Sequence, residues 1–202
     1  MEFEHVIRHR KMTRAFEAAP LPTAALDRIL ELAASSPSAG FTQGVEWLVV
    51  EGEERERFFE VACDEEFLAA PGPMAGLLRA PVILLPVADP SAYENRYREP
   101  DKAGSSLARV PAADWPVPYW IVDAAFGVMA ALLAATDAGL GALFFRLHGD
   151  PLEVRRAFAI PEGRLLIGAI AVGYRERAAG PRGSRGRRPR RPIEEIVHRN
   201  RW

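Results

Sequence analysis

Apolar residues at Leu26, Ile29, Leu30 and Ala33 share one face of a 3.6-residue repeat, and Thr23 stands where an N-cap is wanted, so a helix is predicted over about 24–34. Ser35-Ser36-Pro37-Ser38-Ala39-Gly40 interrupts that periodicity with residues that favour a loop. Trp47–Val50 and Ala80–Val87 are short apolar runs bounded by turn residues and prolines, the pattern of buried strands, and Arg55–Ala62 between them has helical composition. Asp123 to Ala138 is apolar on every face and rich in small residues, which predicts a helix buried on all sides, in the core or at a subunit interface. Gly139 and Gly141 end it. Ala142–Leu147 then reads as a strand, Asp150-Pro151 as the cap and first turn of a short helix, Leu165–Tyr174 as the clearest strand of all, and Ile193–His198 as a last helical turn. Strands separated by helices without regular βαβ units indicate an α+β sandwich.

Between about Asp89 and Trp120 the periodicity disappears, although Tyr93, Tyr97, Trp115, Tyr119 and Trp120 crowd into this stretch. An irregular segment of that length inside a compact domain is usually functional, so 89–120 is expected to act as a lid or a dimer arm. The 202 residues, 49% of them hydrophobic, suffice for one sizeable core, and a single domain over 1–202 is expected.

Charge adds an asymmetry. The net charge is -1, yet from Arg175 onward ten arginines face three acids, and a second cluster, Arg10-Lys11-Met12-Thr13-Arg14, lies near the start. Planar guanidinium groups pair well with phosphate, so the two ends could hold one anion between them; on charge alone the simpler reading is a solvated basic surface. A nucleic-acid contact is weaker still, because no recognition motif or interleaved aromatic residues accompany the arginines. A lone cysteine, Cys63, excludes an internal disulfide, suits a reducing cytoplasm, and reads as a packed small hydrophobe. The acidic start Met1-Glu2-Phe3-Glu4 lacks the apolar stretch of a secretory signal, and the apolar run Ala124–Ala135 is too short to span a bilayer, so neither export nor a membrane is expected.

Familiar catalytic patterns are missing: the sequence contains no GxxxxGK[ST] phosphate loop, no GxSxG elbow and no HExxH helix. The four histidines are scattered without metal-ligand spacing, so no metal is expected. With no evident acid, base or nucleophile, an enzyme built on this chain would leave the reaction to a bound cofactor.

Four stretches, taken in order, resemble the FMN-dependent nitroreductase family. Arg10-Lys11-Met12-Thr13-Arg14-Ala15-Phe16 resembles its opening Arg-Arg-Ser-x-Arg-x-Phe, and Ser36-Pro37-Ser38-Ala39-Gly40-Phe41-Thr42-Gln43 its Ala-Pro-Ser-x-x-Asn-x-Gln loop. Asp123 through Gly141-Ala142 is similar to the long dimer helix that closes in Gly-Leu-Gly. Ile160-Pro161-Glu162-Gly163 through Val172-Gly173-Tyr174, followed by Arg188-Pro189-Arg190-Arg191-Pro192, resembles the closing strand and basic segment.

The resemblance implies a three-layer α/β/α sandwich with a central, mostly antiparallel sheet and a long buried dimer helix. It implies a homodimer with shared FMN sites, NAD(P)H as electron donor, and a small planar acceptor such as a nitroaromatic compound or quinone, reduced by ping-pong hydride transfer. No catalytic side chain is implied. Arg10, Lys11, Met12 and Arg14, with Arg188 and Arg190, would lie near the FMN phosphate and ribityl chain, leaving Arg182, Arg185 and Arg187 as solvated charge. Pro37, Ser38, Ala39, Gly40 and Gln43 would approach the flavin ring from the other subunit, and backbone around Leu143, Phe144 and Phe145 would cover its other side. Met12 replaces the usual serine, and Phe41 the usual asparagine, which removes a polar contact and adds an aromatic wall; Phe41 is expected to line the substrate, and Trp115, Tyr119 and Trp120 either line it too, as an aromatic lid, or pack at the dimer interface. The competing reading of the same residues is a flavin- or nucleotide-binding protein without turnover.

Overall fold

The structure, a computed structural model, describes residues 2–69, 72–176 and 189–202. Its helices are α1 (Phe3–His9), α2 (Thr23–Ala34), α3 (Glu54–Ala62), α4 (Glu65–Ala69), α5 (Pro90–Tyr97), α6 (Tyr119–Asp137) and α7 (Pro151–Ala157). The strands are β1 (Val45–Glu51), β2 (Val82–Ala88), β3 (Gly141–Phe145), β4 (Leu165–Leu166) and β5 (Ala169–Gly173), paired in the order β1-β2-β5-β3 with β4 also on β2. Every pairing between them is antiparallel.

Alternation along the strands sorts side chains into two cores. Ile83, Leu85 and Val87 of β2 pack with Phe58 and Phe59 of α3, while Val82 and Leu84 face Ile29 of α2 and Leu132 of α6. A strand covered on both faces must be apolar throughout, and all seven residues of β2 are buried. The sheet thus lies between a layer of α3 and α7 and a layer of α2 and α6, the three-layer α+β sandwich expected from the sequence.

Several local expectations change. Thr23 is the first residue of α2 rather than its cap; Pro22 holds the cap position, and no side chain bonds there. Asp150 does cap α7, its carboxylate accepting from the Leu152 N–H. The predicted strand 165–174 is split: between the pairs Leu84↔Ile170 and Val87↔Leu166, two residues of β2 face three residues, Ile167, Gly168 and Ala169. This is a β-bulge, and it sits opposite Pro86, which has no N–H to give a ladder. Gly168 takes φ 142°, and a Cβ there would lie 2.7 Å from both the Phe144 ring and the Phe145 carbonyl oxygen. Gly168→Ala is therefore expected to destabilise the protein by about 1–3 kcal/mol in denaturant unfolding. Gly163→Ala, also at positive φ but into open space, isolates the backbone strain from the packing cost.

The 89–120 segment is not irregular throughout. Asp89 caps α5 by accepting from the Ser91 N–H, and short 3-10 turns lead on to α6. Its aromatic residues form a third small core: Tyr93, Trp115 and Trp120 are buried with Ala88, Ala112 and Ala124. The helix α6 is longer than the apolar run within it. At 19 residues it is long and apolar enough to cross a bilayer, but more than half of that stretch is buried against the rest of the chain. Within the single chain Ile121, Phe126 and Met129 of this helix lie exposed on one face. The expected connection at 180–184, with Arg182, Arg185, Arg187 and Arg188, lies outside the described residues.

Candidate functional site

Two of the expected groups occupy defined places. The first is the cationic segment after α1. Arg10 follows that helix directly, and Met12 pairs in parallel with Ala142, while the Thr13 N–H donates to the Ala142 carbonyl at 2.9 Å. Residues 10–14 thereby run beside the first half of β3. Gly141 permits this approach, since a Cβ would meet Thr13 Oγ1 and the Arg175 side chain at 2.7 Å. Lys11 and the Met12 side chain are exposed, and Arg14 Nη1 donates to the Met12 carbonyl at 3.2 Å. Phe16 bridges to Arg175, and the Glu176 N–H donates to the Ala15 carbonyl, so the chain leaving β5 passes the same segment. Arg190 lies on the exposed stretch 189–202.

The second group is the loop before β1. The Gln43 N–H donates to Ser38 Oγ at 3.0 Å and the Phe41 N–H to the Ser38 carbonyl at 2.9 Å. These bonds curl the backbone so tightly that Gly40, Phe41 and Gln43 all take positive φ, at 63°, 55° and 54°. For Phe41 that conformation is costly, and the residue is nonetheless 75% exposed. Beneath the loop, the Ala39 N–H donates to Asp123 Oδ2 at 2.8 Å, and Arg96 Nε donates to the Gly40 carbonyl at 2.8 Å. Pro37 is exposed and Ser38, Ala39 and Gly40 are half-buried.

Of the other residues expected to line a substrate, Tyr119 is half-buried and Trp115 and Trp120 are buried. Trp115 packs edge-on against Tyr97 and Tyr119, and Tyr97 in turn lies against Gly40. Leu143 and Phe145 point into the α3 core and Phe144 into the α2/α6 core, leaving the backbone of β3 as their contribution to any site.

Sequence reasoning missed three residues that shape the loop: Tyr93, Arg96 and Asp123. Asp123 is a carboxylate within an apolar helix, a signal that could have marked it. Burial, reinforced by the bond to Asp123, holds the Tyr93 phenol far above its usual value, so it stays a donor. Arg96 is gripped by Asp101 through two bonds of 2.7 and 2.8 Å, which hold the Asp101 carboxyl below its usual value.

Cys63 offers no nucleophile. Burial pushes its thiol up to about 11, with Asp64 adding to the shift. At neutral pH only about one part in ten thousand is thiolate, so alkylation by iodoacetamide is expected to be slow in the native protein and fast in denaturant. Among the described residues no three His, Cys, Asp or Glu side chains gather to hold a metal ion.

An antiparallel three-layer sandwich with a cationic strand-edge segment and a tightly curled loop before β1 defines the structural class. The chain matches the Nitroreductase family over residues 7–174 and belongs to that family, a family of oxidoreductases. It is 27% identical, over 90% of its own length and 82% of the relative's, to a Methanothermobacter thermautotrophicus protein provisionally named NADH dehydrogenase/NAD(P)H nitroreductase. Among solved structures it resembles a nitroreductase family protein of Streptococcus pneumoniae, with TM-score 0.73, 20% identity, and 98% and 100% of the two chains covered. A second, from Clostridium difficile, gives TM-score 0.71 at 19% identity over the full length of both chains. At these identities the two structures speak for the fold alone.

Proposed function

We propose that the protein is an FMN-dependent oxidoreductase that works as a homodimer, taking electrons from NAD(P)H and passing them to a nitroaromatic, quinone or similar conjugated acceptor. The observation that carries this reading is the placement of the two groups. Met12 and Ala142 lie at the level of Val172, Val82 and Glu51, at one end of the sheet and on its β3 side. The curled loop enters the opposite end, at Val45 of the β1 side. Three strand spacings across and six residues along separate these corners, about 14 Å by about 20 Å. One chain therefore holds two half-sites apart, and a second copy that brings its loop to the cationic segment completes a site.

The donor set fits FMN. Arg10, Lys11 and Arg14 supply cations for a phosphate dianion, joined by Arg190 and by Arg188, which lies outside the described residues. The Pro37–Gly40 stretch and Gln43 from one copy, and the backbone at Leu143–Phe145 of the other, would flank the flat ring. When bound, FMN supplies reversible hydride acceptance and donation, which no side chain of this chain can perform. The protein's share is position and electrostatics. Arg10 and Arg14 anchor the anionic end. Phe41 offers an apolar wall against which a planar acceptor stacks, with Tyr119 and the buried Trp115 and Trp120 behind the loop. Donor and acceptor occupy the same place in turn, so ping-pong kinetics follow.

The exposed apolar face of α6, continued by Phe3 and Ile7 of the neighbouring α1, supports self-association, because water-facing side chains of that size gain most from a matching apolar surface. An absorbance spectrum of the purified protein tests the function: a flavin spectrum, bleached anaerobically by NADH or NADPH and restored by a quinone, is the expected result. Protein that takes up no FMN overturns the reading, and a bound flavin that NAD(P)H leaves oxidised points to binding without turnover.

A further inference from the structure

Asp123 is costly where it stands. It is 4% exposed on a helix that is otherwise almost wholly apolar, and a buried carboxylate is tolerated only where its bonds compensate for lost water. A single oxygen, Oδ2, accepts from both the Ala39 N–H at 2.8 Å and the Tyr93 hydroxyl at 2.7 Å. Tyr93 is itself fully buried, so the acid is fixed from α5 on one side and holds the loop on the other. One residue further on, Arg96 Nε takes the Gly40 carbonyl at 2.8 Å while Asp101 holds its guanidinium. The N–H of Ala39 and the C=O of Gly40 are thus gripped from two helices, immediately before Phe41 enters the left-handed region.

We infer that Asp123 and Arg96 are positioning residues that hold Phe41 in its strained backbone state, and that through them Phe41 sets a preference for flat aromatic acceptors. This specificity rests on the flavoenzyme reading given above; the positioning itself does not. A left-handed phenylalanine relaxes when its neighbours release it, and its exposed ring makes no compensating core contact. The 89–120 segment acquires a role from this arrangement: α5, with Tyr93 and Arg96, and the 3-10 turn carrying Asp101 form the buttress of the loop.

Asp123→Leu keeps the branched shape and removes the acceptor, whereas the amide oxygen of Asp123→Asn can still accept both donors. In cofactor-free protein, hydrogen exchange at the amides of Ala39, Phe41, Thr42 and Gln43 is expected to speed up about tenfold or more in Asp123→Leu, to stay near wild type in Asp123→Asn, and to be unchanged in β2 and β5. In the flavin-loaded enzyme, Asp123→Leu should raise the KM for a planar quinone about tenfold more than the KM for ferricyanide, which has no ring to stack. Arg96→Ala, at the partly exposed side of the loop, should reproduce the local exchange effect and serves if Asp123→Leu does not fold. Loop protection that survives both substitutions, protection lost across the whole sheet, or an Asn variant as poor as Leu overturns the positioning. A quinone KM that rises no more than the ferricyanide KM despite a loosened loop overturns the specificity. If wild-type protein takes up no flavin, the flavoenzyme reading and the acceptor preference fall together, and the exchange data still decide the positioning.

Discussion

Replacing Arg10 and Arg14 together by alanine is expected to weaken FMN binding by about a hundredfold or more. Each charge-assisted bond to a phosphate is worth about 1.5–3 kcal/mol, and about 1.4 kcal/mol changes a dissociation constant tenfold. The fold should survive, because the segment is held by its backbone, through the Thr13 N–H on Ala142 and the bridge at Met12, rather than by the guanidinium groups alone. The conservative pair, Arg10→Lys with Arg14→Lys, should lose less, since it keeps the charge and surrenders only the two-pronged geometry. Quenching of FMN fluorescence on titration with apoprotein measures the loss, and thermal unfolding of the same samples shows whether the segment stayed in place. Binding unchanged by the double alanine substitution would remove residues 10–14 from the site.

Carboxylates placed on the outer face of α6 should be equally disruptive, by a different route. Phe126 and Met129 are each 47% exposed in the single chain, so Phe126→Glu with Met129→Glu costs the folded monomer little. Pressed against a second copy, two unpaired carboxylates would lose their water at a cost of several kcal/mol, enough to split a dimer. Sedimentation should therefore show a monomer that unfolds cooperatively, and the same preparation should have lost its flavin, because no half-site binds alone. A stable monomer that keeps FMN would contradict the shared site while leaving the cationic segment intact.

The elements that can be read from the sequence are those whose burial runs along a regular repeat. The α2 stripe of Leu26, Ile29 and Ala33 and the continuous apolar run of β2 each declare which faces meet the core. Where contacts are sparse or distant the pattern fails. The α1 helix buries only Val6, and α5 only Tyr93, so neither generates a period. The bulge at Gly168 answers to Pro86 on another strand and to the Phe144 ring on a third, which no local window contains. Residues 10–14 and 36–43 are legible as candidate site segments because their residue types recur in order. Asp123 reads as mere punctuation at the start of an apolar run, since its partners, Ala39 and Tyr93, are 84 and 30 residues away. Phe41 is expected as an aromatic wall; its left-handed backbone cannot be foreseen without the bonds that hold it.

The shared site itself is tested most directly by complementation between two defective chains. Arg10→Ala/Arg14→Ala breaks one half-site, and Gly40→Val breaks the other by forcing a branched side chain onto φ 63° against Tyr97. Co-expressed with different affinity tags and purified through both, the heterodimer pairs its two defects in one site and leaves the other whole. It should carry about one FMN per dimer, reducible by NAD(P)H, although neither parent homodimer retains flavin. A heterodimer as colourless as its parents would mean that each site is built within one chain.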